Sequence, residues 1–222
     1  MATVVAVTDH GEWGSNTDNI VVAHPRHGEL LWVPRDMWIE EIHHRINKAF
    51  ALGGHQTLLR SLAALGIEVE HSLCLRREAT ERTLEGVTVT VPVEEPLRLW
   101  YPLETTTRIE DGRKRVDFDP PAAVLTGERL HQWVGARYSR TGPSSDLKRI
   151  RRQQVLVRVL LRQGFDFARV LDDPDLVRMS SPAALEELRR VRPWWRFGCL
   201  EDVVPRTNDG MSVLVRRGEP VP

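Results

Sequence analysis

The sequence predicts an α/β or α-β-α layered domain. Short β-branched or apolar runs alternate along the chain with segments of helical periodicity, a pattern that places helices against a sheet. The 222 residues are 41% hydrophobic and 28% charged, enough apolar surface for a globular core. No internal repeat or low-complexity stretch interrupts this pattern. The longest apolar stretch, 155–161, is cut by Arg158 and falls far short of the roughly 20 residues of a membrane span. Residues 1–8 lack a basic leader and do not read as a secretory signal, so a cytoplasmic location is expected. Thirty-one Lys and Arg balance thirty-one Asp and Glu. That balance argues against non-specific coating of nucleic acid, which needs a basic surplus. Cys74 and Cys199 belong to no CxxC pair and read as free thiols rather than a disulfide or zinc scaffold.

Element by element, 3–7, 19–24 and 30–33 read as strands, the last two joined by a hairpin at 25–29. A helix is predicted over 46–65, interrupted at Gly53-Gly54, and a strand over 67–75. A short helix at 78–84 closes at Gly86, and a strand at 87–91 stops at Pro92. Residues 94–112 are expected to form a long loop or edge hairpin. Thr126 is placed as the cap of a helix reaching Arg137, and Ser145 or Asp146 as the cap of one over 147–163, ended by Gly164. A third helix starts at Pro182 and ends before Pro193, and 211–217 is the final strand.

The chain has no GxSxG elbow, Walker loop, HExxH or GxGxxG. Its histidines are scattered and predict no metal site. Three constellations carry chemistry. Asp9 and Asp18 bracket a polar loop between two strands, where carboxylates can converge on Mg²⁺ or serve as plain turn residues. Pro34-Arg35-Asp36 follows a strand, where an Arg fixed by an Asp makes a fork for phosphate or an ordinary surface ion pair. In 146–154, Arg149, Arg152 and Gln153 share a face beside a stripe of Leu147, Ile150, Val157 and Leu161. Arginines in the first two turns oppose the helix dipole, and a bound anion would offset that cost.

In order, Asp9, Thr17-Asp18-Asn19, Pro34-Arg35-Asp36, Arg45-Ile46-Asn47-Lys48-Ala49-Phe50, Gly53-Gly54, Leu65-Gly66-Ile67, Gly86-Val87-Thr88-Val89, Leu125-Thr126-Gly127-Glu128, Arg137-Tyr138 and Asp146 through Gln154 resemble the LytR-CpsA-Psr family. The similarity runs over about 4–164 and continues weakly to 209–213. The resemblance implies a single α-β-α layered domain with a central mixed β-sheet, its core at 1–164 and its closing helices and strand at 165–222. It implies a Mg²⁺-dependent phosphotransferase that takes a polyprenyl (pyro)phosphate-linked donor and passes a glycosyl phosphate to a cell-envelope acceptor. Asp9 and Asp18 resemble the metal carboxylates. Arg35, held by Asp36, resembles the catalytic arginine, with Arg149 also assigned to catalysis. Arg45, Arg137, Arg152 and Gln153 resemble substrate-binding positions. An apolar lining for the prenyl chain is expected from Phe50, Leu58, Leu62, Leu65, Leu130 and Trp133, residues that plain core packing explains equally.

The sequence departs from the family pattern at Arg45, where Lys is usual, and at Gly135, where an Arg is common. Members usually carry an N-terminal anchor and work outside the cell. This chain shows none, which leaves a peripheral membrane contact or a small soluble diphosphate as further expectations. A soluble pyrophosphohydrolase and a non-catalytic diphosphate- or lipid-binding regulator are the alternative functions. No nucleic-acid partner is expected.

Overall fold

A computed structural model describes residues 1–8, 13, 16–102, 113–136, 144–167, 171, 173–200, 203–208 and 211–217. In chain order the elements begin with strands β1 (Thr3–Thr8), β2 (Thr17–His24), β3 (Glu29–Trp32), β4 (Trp38–Ile39) and β5 (His44–Arg45). Helix α1 (Ala49–Ala64), strand β6 (His71–Leu75) and helix α2 (Arg77–Leu84) follow. Next come β7 (Thr88–Pro92), β8 (Leu97–Pro102), β9 (Arg113–Phe118), β10 (Ala122–Thr126), α3 (Glu128–Gly135) and α4 (Ser144–Arg162). The chain closes with β11 (Val177–Met179), α5 (Ala183–Leu188), β12 (Arg196–Cys199), β13 (Val203–Asn208) and β14 (Met211–Arg216). Two compact units result: Met1–Thr83 with Asp166–Pro222, and Leu84–Phe165.

The first unit is built on a six-stranded mixed sheet in the order β11-β6-β1-β2-β3-β12. Pairs β1/β6 and β3/β12 are parallel, and β1/β2, β2/β3 and β6/β11 are antiparallel. Two-residue periodicity divides β1 between two cores. Val4 and Ala6 join Ile20, Val22 and the α1 residues Leu58 and Leu62 in one cluster. Val5 packs on the opposite cluster with Leu73, Ala79 of α2 and Ala184 of α5. Helices therefore cover both faces of this sheet, and each fully buried Leu contributes about 1.5–3 kcal/mol of burial free energy.

The second unit pairs β7 with β10 and β8 with β9, both antiparallel, and adds α3 and α4. Val89 and Val91 of β7 are buried while Thr88 and Thr90 are exposed. Phe118 meets Trp133 edge-on at 5.0 Å between ring centroids, inside a cluster with Leu125, Leu130, Leu156 and Leu160.

Several sequence expectations shift. The interruption in α1 is real: Gly54 has φ of +61°, a region that disfavours side chains. Helix α3 starts after Gly127 rather than at a Thr126 cap, because Thr126 is drawn into β10 opposite Thr88. Segment 94–112 contributes β8 to a hairpin with β9. Strands β4, β5 and β9 to β13 are not anticipated: most are short, Pro120 and Pro121 precede β10, and Pro205 lies within β13. The buried face of α4 is also rotated from the expected stripe. Ile150 and Leu161 are buried, but so are Arg149, Arg152, Gln153, Leu156 and Leu160, whereas Leu147 and Val157 are only half-buried. The expected apolar lining falls into two clusters, with Phe50, Leu58, Leu62 and Leu65 in one and Leu130 and Trp133 in the other.

Candidate functional site

In the first unit, three segments distant in sequence converge at strand ends. Arg35 donates from Nη1 to Oδ1 of Asp18, at the start of β2. Arg45 faces Asp36 at 3.3 Å between Nη1 and Oδ1. Asn47 ties the segments together. Its amide donates to the Arg35 carbonyl at 3.2 Å, and its carbonyl accepts from Thr17 Oγ1 at 3.2 Å. The Asp36 carbonyl in turn accepts from Leu214 N at 2.8 Å. Backbone bonds thus fix where each charged side chain begins, and each Asp fixes where its guanidinium ends. Side-chain exposure is 15% for Arg35 and 27% for Asp18, so the pair is restrained yet reachable. Such forks present several N–H donors in a fixed plane and suit phosphate oxygens.

In the second unit, α4 supplies the other expected cluster. Arg149 donates to Asp146 at 2.6 Å, and both side chains are 2% exposed. Arg152 donates from Nε to the Trp133 carbonyl at 3.0 Å and from Nη2 to the Ala136 carbonyl. Trp133 Nε1 returns a bond to the Arg152 carbonyl at 2.9 Å. Gln153 Nε2 donates to Val134 O at 3.1 Å. Its Oε1 is buried without a hydrogen-bond partner, an acceptor left over from the core. The guanidinium of Arg152 thereby satisfies carbonyls at the end of α3, where helices leave acceptors unpaired. An ideal Cβ on Gly135 would stand 3.1 Å from Cε2 of Tyr101, so an arginine at this position would have to displace that ring.

Asp9 and Arg137 lie outside the described residues. The structure therefore brings Asp18, Arg35, Asp36 and Arg45 together in one unit, and Arg149, Arg152 and Gln153 together in the other. Asn47, Thr17 and Asp146 take part in this organisation without having been singled out as site residues. Their signal in the sequence is adjacency to the charged positions. Among the described residues no group of three or more His, Cys, Asp or Glu could hold a metal ion. Mg²⁺ needs fewer protein ligands, since one or two carboxylates, water and substrate phosphate complete its shell. Asp18 is a donor of the right kind for that chemistry. Both cysteines are free, and burial pushes the Cys74 thiol well above its usual range. No described helix is long and apolar enough to cross a membrane.

A model of the LytR_cpsA_psr family matches residues 5–184. Comparison with curated proteins finds no match. Among solved structures, a transcriptional regulator from Enterococcus faecalis superposes with a TM-score of 0.65 at 16% identity, covering 97% of this chain and 80% of that one. TagU of B. subtilis gives 0.59 at 15% identity over 98% and 90%. TagT bound to LI-WTA gives 0.64 at 16% over 97% and 83%. At these identities the structural likenesses speak to fold, and the fold agrees with the family match.

Proposed function

Because this chain belongs to the LytR-CpsA-Psr family, whose members transfer glycopolymers from lipid-linked precursors in the cell envelope, we propose that it is a Mg²⁺-dependent phosphotransferase. Its donor is a glycan on polyprenyl pyrophosphate: an acceptor hydroxyl forms the new P–O bond to the glycosyl phosphate and gives up its proton, while the P–O–P bridge breaks and polyprenyl phosphate leaves. The observation that carries this reading is the restrained pair of Arg35 with Asp18, backed by Arg45 with Asp36. Phosphoryl transfer spreads charge over non-bridging oxygens and asks the protein for positioning and electrostatic stabilisation. Guanidinium groups already locked by carboxylates need little reorganisation as that charge develops.

In this reading Arg35 binds the reacting phosphate and Asp36 orients the neighbouring Arg45 toward the other phosphate. Asp18 has two duties, restraining Arg35 and, with Asp9, holding Mg²⁺. The ion supplies further charge neutralisation when bound. Arg137, Arg149, Arg152 and Gln153 are carried over from the family resemblance as further catalytic or substrate-binding residues. Arg149→Ala cannot test that role cleanly, since its side chain is wholly buried.

Arg35→Ala is the cleaner test. With a lipid pyrophosphate-linked donor and a hydroxyl acceptor, turnover should fall at least a hundredfold while circular dichroism stays that of the wild type. About 2.7–4 kcal/mol of transition-state stabilisation, the range for one lost oxyanion donor, sets that expectation. Full activity in the variant would refute the assignment. Release of phosphate with water as the sole acceptor would assign hydrolysis instead.

A further inference from the structure

The segment between α5 and β12 presents a surface that neither the core nor the proposed reaction uses. Trp194 is 76% exposed, the highest value among the described large hydrophobic side chains. Its neighbour Trp195 is buried, with its ring over Gly28, whose ideal Cβ would stand 3.6 Å from Trp195 Cδ1. The bond from Arg196 N to Gly28 O at 2.8 Å pins the same stretch to the sheet edge. Trp194 is thus held outward by a fixed backbone.

Four exposed arginines surround it in sequence: Arg189, Arg190, Arg192 and Arg196. Glu186 and Glu187 pair with the first two at 3.0 and 3.4 Å, and Glu29 lies 3.9 Å from Arg196. Arg192 bonds only to the carbonyls of Arg189 and Val191 and meets no carboxylate among the described residues. The four arginines against these three glutamates leave a surplus of one positive charge, at Arg192 beside Trp194, in a chain whose net charge is zero.

We propose that this patch docks the protein on an anionic lipid surface, with Trp194 entering the headgroup region and the arginines facing lipid phosphates. An indole ring has an apolar body and a polar N–H, and favours that interface. Clustered basic residues near it are drawn to the negative surface potential. The chemistry disfavours a second copy of this chain as the occupant. A two-fold contact through this patch would set its arginines against the same arginines. The proposal does not depend on the transfer reaction.

Co-sedimentation of the full chain with vesicles tests it, using phosphatidylcholine alone and phosphatidylcholine with phosphatidylglycerol. Binding is expected only to the anionic vesicles and should weaken as salt rises. Trp194→Ala and Arg192→Glu should each lower the partition coefficient about tenfold, while Arg115→Ala, at an exposed arginine outside the patch, should leave it unchanged. Both patch residues are exposed, so both variants should fold as the wild type does. Failure of the wild type to sediment with anionic vesicles would overturn the proposal, as would wild-type binding by both patch variants. So would a dimer, seen by sedimentation velocity without lipid, that Trp194→Ala dissolves.

Discussion

Arginine–carboxylate pairs occur in both units, and the setting of each decides what it can do. Arg35 with Asp18 and Arg45 with Asp36 sit at strand ends, partly open to solvent. Arg149 with Asp146 is sealed inside the second unit, beside an Arg152 whose donors go to backbone carbonyls. A partly solvated pair holds its guanidinium in place while leaving N–H donors within reach of a ligand. A sealed pair has exchanged hydration for one fixed geometry, and breaking it leaves a charge where water does not compensate. The same residue type therefore acts as a candidate ligand contact in one region and as framework in the other.

The comparison is broken most forcefully at Asp146. Asp146→Ala should destabilise the protein by about 3–5 kcal/mol, the usual cost of removing one partner of a buried ion pair, read as a lower midpoint in urea. A loss under about 1 kcal/mol would place Arg149 among the partly solvated pairs instead. Arg152→Ala comes next. It strips charge-assisted bonds from the Trp133 and Ala136 carbonyls, and about 2–4 kcal/mol is expected in the same denaturation experiment. Arg35→Ala, the variant that should cut turnover at least a hundredfold, sits at the other end of the scale. Its pair is partly solvated, so the urea midpoint should reflect a change of no more than about 1 kcal/mol. A variant inactive through unfolding would erase the contrast between the two regions.

How far this contrast is legible in the sequence depends on the element. β-Branched and apolar runs give β1 to β3, and the Gly53-Gly54 interruption of α1 is visible as a pair of glycines. The family resemblance over about 4–164 is matched by the family model over 5–184. Strands β10 and β13 stay hidden because Pro120 and Pro121 before the first and Pro205 within the second argue against a strand, and because pairing with β7 and β14 outweighs local preference. In the site, Asp18, Arg35 and Asp36 stand out as charged residues beside strands, but the Asp18–Arg35 and Asp36–Arg45 pairings are tertiary facts that spacing does not encode. Asn47 escapes notice because its contribution is made by backbone groups, which carry no side-chain signature. The buried face of α4 is misjudged for a related reason. Periodicity assigns apolar residues to the core, whereas here Asp146, Arg149, Arg152 and Gln153 enter it by satisfying one another and the carbonyls of the α3 segment.

Acidification should separate the two units by a smaller but directional effect. His24, His44 and His55 all lie in the first unit, and burial is the leading cause that lowers each below the ordinary value of 6.5. For His55 the positive charge of Arg178 adds to that, and its Nδ1 lies 2.7 Å from Ser72 Oγ. A histidine whose folded pKa is lowered binds its proton more readily when unfolded. Its contribution to stability is whole above 6.5 and is lost as pH falls from there through the folded pKa. In the second unit Glu128 is held below its ordinary 4.5 first by the hydrogen bond from Lys114 and then by that from Gln132. Its contribution is whole above 4.5 and is lost only below that value, as pH falls through its own folded pKa. Between pH 7 and pH 5, thermal unfolding followed by hydrogen exchange should therefore show falling protection in the β1 and β6 amides of the first unit. Amides of β7 and β10 should hold theirs over the same range. His55→Gln keeps a hydrogen-bonding group beside Ser72 but removes the titration, and should flatten part of that decline. An equal loss of protection in both units would mean that acid acts on the protein as a whole, and that the histidines of the first unit do not set its sensitivity.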